Sequence, residues 1–173
     1  IRMMAGPVDY TQGAMHNASR ENFRAIHDEP MSQGTRCRQL AEYIVFDSPL
    51  NMLCDSPSSY EREHECTSFI AGIPTVWDHT TVLCGKVSEY IATARQKGNI
   101  WYVGAMTNWE ECTIEIDLSF LGAGDFKAEI FRDGVNAYRY ARDYKKELIE
   151  IPADRKLKVR MAPGGGFAAR IYQ

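Results

Sequence analysis

The dipeptide Ile73-Pro74 divides the sequence into two stretches with different hydrophobic periods, and that switch limits the folds open to the chain. Beyond it, apolar and polar residues alternate in short runs at 75–83, 87–96, 100–108, 112–118, 125–132, 147–151, 156–162 and 167–172. Period two sends successive side chains to opposite faces of a strand. Lys97-Gly98-Asn99 predicts a hairpin turn between two of these runs. Asp133-Gly134 and the Pro163–Gly166 run supply further turns, the glycines reading as a flexible turn. Eight short strands joined by turns predict an antiparallel β-sandwich over residues 75–173, a length sufficient for its own core.

Residues 1–74 read differently. An apolar run at 1–5, ended by Gly6-Pro7, predicts a first strand. A long irregular stretch, residues 8–34, follows, and loops of that length are commonly functional. Cys37, Leu40, Ala41, Ile44 and Val45 then fall on one stripe at helical spacing, predicting a helix over 35–47 that Asp47-Ser48-Pro49 stops. Residues 50–54 predict a short buried strand, Pro57 opens a helical turn, and residues 66–71 predict a second helix closed by Gly72. Strand, helix, strand, helix is the order of a parallel α/β unit.

Charge separates at the same place. Residues 1–74 carry six Arg and no Lys against ten Asp or Glu, whereas residues 75–173 are close to balanced. The whole chain has a formal net charge of −3, which argues against a nucleic-acid partner, since those proteins present a basic excess. No apolar run approaches the ~20 residues needed to span a bilayer. No signal peptide is recognised, and the first residue, Ile1, reads as a strand already under way, so the chain reads as a piece of something longer. The five cysteines form no C-x-x-C pair and read as small apolar side chains.

Several residues could carry chemistry. Asp9, in Asp9-Tyr10-Thr11-Gln12-Gly13, directly follows the first expected strand, where parallel α/β folds place their sites; a loop carboxylate that caps amides is the alternative. Asp55 follows the second expected strand, but Ser56-Pro57 behind it favours a cap. His16, His27, His64 and His79 show no ligand spacing, and Glu61, Glu63 and Glu65 lack the order of a calcium loop. Gly164-Gly165-Gly166 precedes an alternating run rather than a helix, so it is not a phosphate loop. Trp101 and Tyr102 are adjacent and must face opposite sides of a strand, so they cannot share a sugar-stacking platform with Trp109.

Five strings, taken together, resemble the C-terminal end of glycoside hydrolase family 97. They are Ala5-Gly6-Pro7-Val8-Asp9-Tyr10-Thr11-Gln12-Gly13-Ala14-Met15, Ser48-Pro49-Leu50-Asn51-Met52-Leu53, Pro74-Thr75-Val76-Trp77-Asp78, Trp101-Tyr102-Val103-Gly104-Ala105-Met106-Thr107-Asn108 and Ala162-Pro163-Gly164-Gly165-Gly166-Phe167. The family comprises α-glucosidases and α-galactosidases, typical of gut Bacteroidetes, built from an N-terminal β-sandwich, a (β/α)₈ barrel and a C-terminal β-sandwich. The resemblance implies that residues 1–74 are the α/β remnant that ends the barrel and that residues 75–173 are the C-terminal sandwich.

It further implies a parent enzyme that hydrolyses terminal α-linked glucose or galactose from oligosaccharides, with calcium at its site and export to the periplasm. Inverting members use a glutamate acid and glutamate bases; retaining members use an aspartate nucleophile. Both sets, and the calcium-binding glutamates, lie upstream of Ala5, so this chain is expected to bind no calcium and to be inactive alone. By resemblance, Asp9 and Tyr10 border the substrate pocket. A non-catalytic carbohydrate-binding or structural module is the rival reading. Because two strands cannot close a barrel, the helix stripe needs cover. The expectation is that it packs on the sandwich, or that the chain self-associates through the exposed barrel remnant.

Overall fold

Residues 2–173 are described by the computed structural model. Of the run expected as a first strand, Ile1 lies outside the described residues, and Arg2–Met4 form a 3₁₀ turn instead. A strand needs a neighbour for its ladder, and none reaches this segment among the described residues. The chain then makes three two-residue strands, β1 (Tyr10–Thr11), β2 (Asn17–Ala18) and β3 (Ser32–Gln33), and helix α1 (Arg36–Val45). Strand β4 (Asn51–Met52) and helices α2 (Pro57–Arg62) and α3 (His64–Ala71) follow. β1 pairs with β4 and β2 with β3, both parallel. The expected buried strand at 50–54 is thus a short and exposed one: Leu50 is 58% and Leu53 52% exposed.

Helix α1 forms where its periodicity predicts. Thr35 caps it, its hydroxyl accepting from the Arg38 amide at 3.1 Å. Its stripe of Cys37, Leu40, Ala41, Ile44 and Val45 is fully or almost fully buried. Ser56 caps α2, with Pro57 at the first helical position.

The second half holds eight strands. They are β5 (His79–Lys86), β6 (Tyr90–Lys97), β7 (Ile100–Thr107), β8 (Cys112–Asp117), β9 (Lys127–Asp133), β10 (Tyr144–Glu150), β11 (Lys156–Met161) and β12 (Gly166–Tyr172). Six make one antiparallel sheet in the order β10-β9-β12-β7-β6-β5, and β11-β8 form a second. The first strand starts later than its alternation suggests, because Trp77 turns inward to pack edge-on against Tyr102 at 5.3 Å. The expected run at 87–96 also starts late: Lys86–Glu89 make a tight turn, with Ser88 at φ 67 and an ion pair across it at 2.6 Å.

The large sheet is buried on both faces. On one, Ala92, Ala94, Val103, Ala105, Phe167 and Ala169 meet Ile114, Ile116, Val159 and Met161 of the small sheet. On the other, Tyr102, Phe131 and Ala168 meet Cys37, Leu40 and Ile44 of α1 and Cys66, Phe69 and Ile70 of α3. The helix stripe therefore finds its cover on the sandwich. Trp101 and Tyr102 do face opposite sides, one against Phe120 and the other under the helices.

The helix comes so close because the sheet offers glycines there. A Cβ on Gly104 would lie 2.9 Å from Val45 Cγ2 and 3.0 Å from the Ala41 carbonyl. One on Gly166 would lie 2.5 Å from Arg38 Cα and 2.9 Å from the Ala105 carbonyl. The triple glycine makes the expected turn, with Gly164 at φ 66 and the Gly165 amide donating to the Ala162 carbonyl at 2.7 Å, and its last member, Gly166, is also a packing device. Gly166→Ala should lower stability by about 1–3 kcal/mol, since backbone atoms and not a flexible side chain must yield. Urea unfolding measures this, and an unchanged midpoint would mean that α1 is not seated as described.

Two acids are trapped at this helix–sheet junction. Asp133 Oδ2 accepts from the amides of Ala162 at 2.8 Å and Gly166 at 3.1 Å, and burial pushes its carboxyl up to about 6. Burial also pushes Glu42 up to about 7, against the pull of Arg38 3.1 Å away. Both acids take protons more readily folded than unfolded. Their contribution to stability is therefore full at acid pH and is lost as pH rises from the ordinary carboxylate range through about 7. Unfolding midpoints should fall across that window, and Glu42→Gln should flatten the upper part of the fall. A midpoint that climbs between pH 4 and 7 by the same amount in both proteins would contradict this assignment.

Candidate functional site

In parallel α/β structure, ligands bind beyond the carboxyl ends of the strands. The segments leaving β1 and β4 on that side, Met15-His16 and Cys54-Asp55-Ser56, open onto one polar cleft of about 560 Å³. Asp28, Glu29 and Pro30 of the long loop, Ser59, Arg62 and Glu63 around α2, and Arg142 of the sandwich complete its lining.

The cleft is built on a buried arginine. Arg36, the first residue of α1, is fully buried. Its Nη1 donates to Glu63 Oε2 at 2.7 Å, its Nε to Asn17 Oδ1 at 2.5 Å, and its Nη2 to the Met15 carbonyl. Asn17 in turn donates to Gln39 Oε1 at 3.0 Å, and Gln39 donates to the Gly13 carbonyl at 2.9 Å. The loop after β1 is thereby tied to α1 by polar groups that are satisfied inside the protein. Asp55 ties the two strand ends together. Its Oδ2 accepts from the Met15 amide at 2.7 Å and its Oδ1 from the Ser56 amide at 2.6 Å. Partial burial alone would raise its carboxyl, but these amides outweigh it and hold Asp55 below the ordinary carboxylate value. His16 Nδ1 lies 3.2 Å from Glu29 Oε1, and Arg62 donates to Ser59 Oγ at 3.1 Å.

Cleavage of a glycosidic bond uses one carboxyl that stays protonated and faces an ionised one across the bond. In the cleft, Asp55 is held ionised by backbone amides and Glu63 is committed to Arg36. Glu42 and Asp133, whose carboxyls are raised, do not line it. What the cleft presents is a mixed set of donors and acceptors suited to a polyhydroxylated ligand. Among the described residues no group of three or more His, Cys, Asp or Glu is placed to hold a metal ion.

Asp9 and Tyr10, the residues read as bordering the parent's substrate pocket, do not line this cleft. Asp9 is exposed just before β1. Tyr10 donates its hydroxyl to the Glu42 carbonyl at 3.0 Å, accepts from Gln12 at 2.7 Å, and packs edge-on against Phe46 at 5.0 Å. Burial raises its phenol above the ordinary value. This fastens β1 to the C-terminal end of α1, whereas the cleft lies at the other end of that helix. For Asp55 the sequence favoured a cap over a site role, and it does accept from the Ser56 and Met15 amides while lining the cleft. Glu63 stood in a charged run that read as a solvated face, and Arg142 gave no signal at all.

A family model described as "Glycosyl-hydrolase 97 C-terminal, oligomerisation" matches residues 76–172. The chain is 62% identical over 171 residues to the retaining alpha-galactosidase of Bacteroides thetaiotaomicron, covering 99% of this chain and 26% of that protein. It is 27% identical over 168 residues to a probable retaining alpha-galactosidase of Streptomyces bingchenggensis, covering 97% of this chain and 24% of that one. A glycoside hydrolase family 97 enzyme of Pseudoalteromonas sp. strain K8, solved with acarbose, superposes with a TM-score of 0.76 at 36% identity, over 80% of this chain and 22% of that chain. The chain thus spans about a quarter of the length of these relatives.

Proposed function

Because this chain belongs to glycoside hydrolase family 97, we propose that it is the C-terminal quarter of an exo-acting retaining α-galactosidase. The observation that carries the reading is the 62% identity, running along nearly the entire chain, to a retaining alpha-galactosidase. The same identity favours galactose over glucose and a nucleophilic over an inverting mechanism. Residues 1–74 are read as the end of the (β/α)₈ barrel. The parallel pair β1 and β4 with α1 between them supports this, since barrels repeat that unit. Residues 75–173 are read as the C-terminal sandwich, in keeping with a family model that begins at residue 76. The nucleophile, the acid and the calcium ligands belong to the upstream part of the parent. Asp9 and Tyr10 are read as bordering the parent's substrate pocket, with Tyr10 fastened to α1 through the Glu42 carbonyl.

Full-length parent enzyme and this 173-residue chain, assayed side by side on p-nitrophenyl α-galactoside and α-glucoside, test the proposal. The parent should release nitrophenol from the galactoside with retention at the anomeric carbon, and the chain alone should release none. Turnover by the chain, or a parent that acts only on the glucoside, would refute it.

Self-association is a second property we propose. An apolar groove of about 530 Å³, with Met4, Phe46, Val82, Val87 and Met106 in its walls, lies along edge strand β5. Val82 and Val87 are 67% and 76% exposed there. Together with the oligomerisation named for the matching family, this favours pairing of two copies through that groove. Sedimentation should show a dimer or larger species at micromolar concentration, and Val82→Lys with Val87→Lys should restore the monomer. A wild-type chain that stays monomeric would refute this.

A further inference from the structure

Cys84 of β5 and Cys112 of β8 belong to different sheets of the sandwich. Cys84 stands opposite Ala92 of β6, and Cys112 opposite Met161 of β11. Residues directly opposite on paired antiparallel strands share a face. Ala92 and Met161 are fully buried between the sheets, so both thiols point inward, and both pack on that same apolar cluster. The two strands also approach closely. Cα atoms of β5 and β8 come within 8 Å of each other, whereas stacked sheets lie ~10 Å apart. Both thiols are half-buried and free. Burial and the neighbouring Cys112 thiol together raise the Cys84 thiol above its ordinary value.

Strand β5 is an edge of the large sheet, and its register with β6 shifts between Val82 and Cys84. Such a bulge interrupts the ladder and lets the strand bend. A disulfide needs Cα atoms about 4.4–6.8 Å apart, a separation that a bulged edge strand can reach by bending. We propose that Cys84 and Cys112 form an intramolecular disulfide that staples β5 to β8 when the chain meets a disulfide oxidant. One protein thiolate attacks oxidised glutathione and expels a first glutathione thiolate. The second protein thiolate then attacks the mixed disulfide and expels the other. The two cysteines are oxidised, glutathione disulfide is reduced to two thiols, and the two protons pass to glutathione. Cys84 does not line the apolar groove along β5, so the staple fixes that edge strand and leaves the groove open. The inference holds whichever sugar the parent cleaves.

The test equilibrates the 173-residue chain with an oxidising glutathione buffer at about pH 8.5, where thiolates are populated. The chain carries Cys54→Ser, which removes the exposed thiol. Intact mass should fall by two hydrogens, and digestion should yield a peptide joining Cys84 to Cys112. The linked chain should melt about 5–10 °C above the same chain after reduction. Cys84→Ala and Cys112→Ala should each abolish the link and the rise. Each variant is compared with its own reduced sample, so any change of packing by the alanine cancels. A chain that keeps both thiols in the oxidising buffer would overturn the staple. So would a bond that joins other cysteines or two chains, or a linked chain that melts no higher than its reduced form.

Discussion

Arg36→Ala should cost this chain about 3–5 kcal/mol, the range for removing one partner of a buried charge pair. The arginine is fully buried and serves three acceptors in different segments: Glu63 between α2 and α3, Asn17 in β2 and the Met15 carbonyl after β1. Alanine leaves all three without their donor, one of them a carboxylate with a side chain only 28% exposed. Because Met15 and Glu63 line the cleft, the loss should loosen its wall as well. Arg36→Ala combined with Glu63→Ala should cost less than the two single losses added, since each already removes the same contact. A single-substitution loss below about 1 kcal/mol by urea unfolding would contradict the network.

Phe131→Ala should be comparably severe, about 3–5 kcal/mol, for a different reason. Its ring is fully buried on the helix-covered face of the large sheet. Phe69 of α3 packs on it at 4.7 Å, Tyr144 of β10 at 5.8 Å, and the Lys146 ammonium stands 5.5 Å from its centre. Truncation opens a void beneath α3 that rigid sheet backbone cannot fill. Hydrogen exchange should therefore rise first in α3, ahead of β7 and β12. Equal acceleration across all elements would show that α3 does not form the weaker seam. Phe131→Leu, which keeps much of the volume, should recover most of the loss.

The elements that were legible in the sequence are those governed by local patterning. α1 was legible because its stripe, its cap at Thr35 and its stop before Pro49 agree. All eight strands of the second half were legible because alternation and turn residues recur at short intervals. The elements that misled are those whose state depends on a neighbour. Residues 2–4 have strand composition but make a 3₁₀ turn, and residues 50–54 have core composition but lie on the surface. Apolar composition says that a segment prefers cover; it does not supply the covering partner.

The cleft was largely illegible for a related reason. Its lining comes from residues 15–16, 28–30, 54–63 and 142, segments far apart in the chain. Asp55 was visible by its position after a strand but read as a cap, while Arg142 arrives through a hairpin loop whose reach depends on the packing of α1 against the sheet. Asp9 and Tyr10 shared Asp55's positional logic, yet Tyr10 faces the far end of α1. Spacing along a strand sets which residues share a face, but not which end of the neighbouring helix that face meets.

By itself the sequence determined helix α1, the eight strands of the second half and the family resemblance, because hydrophobic period, caps and turn residues act over a few neighbouring positions. Tertiary structure alone decided that the sheet is covered on both faces, that Gly104 and Gly166 admit the helix, and that Glu63, held by the buried Arg36, and Arg142 meet at one cleft. Those outcomes depend on contacts between segments distant in sequence, where excluded volume and the need to satisfy buried charge select one arrangement.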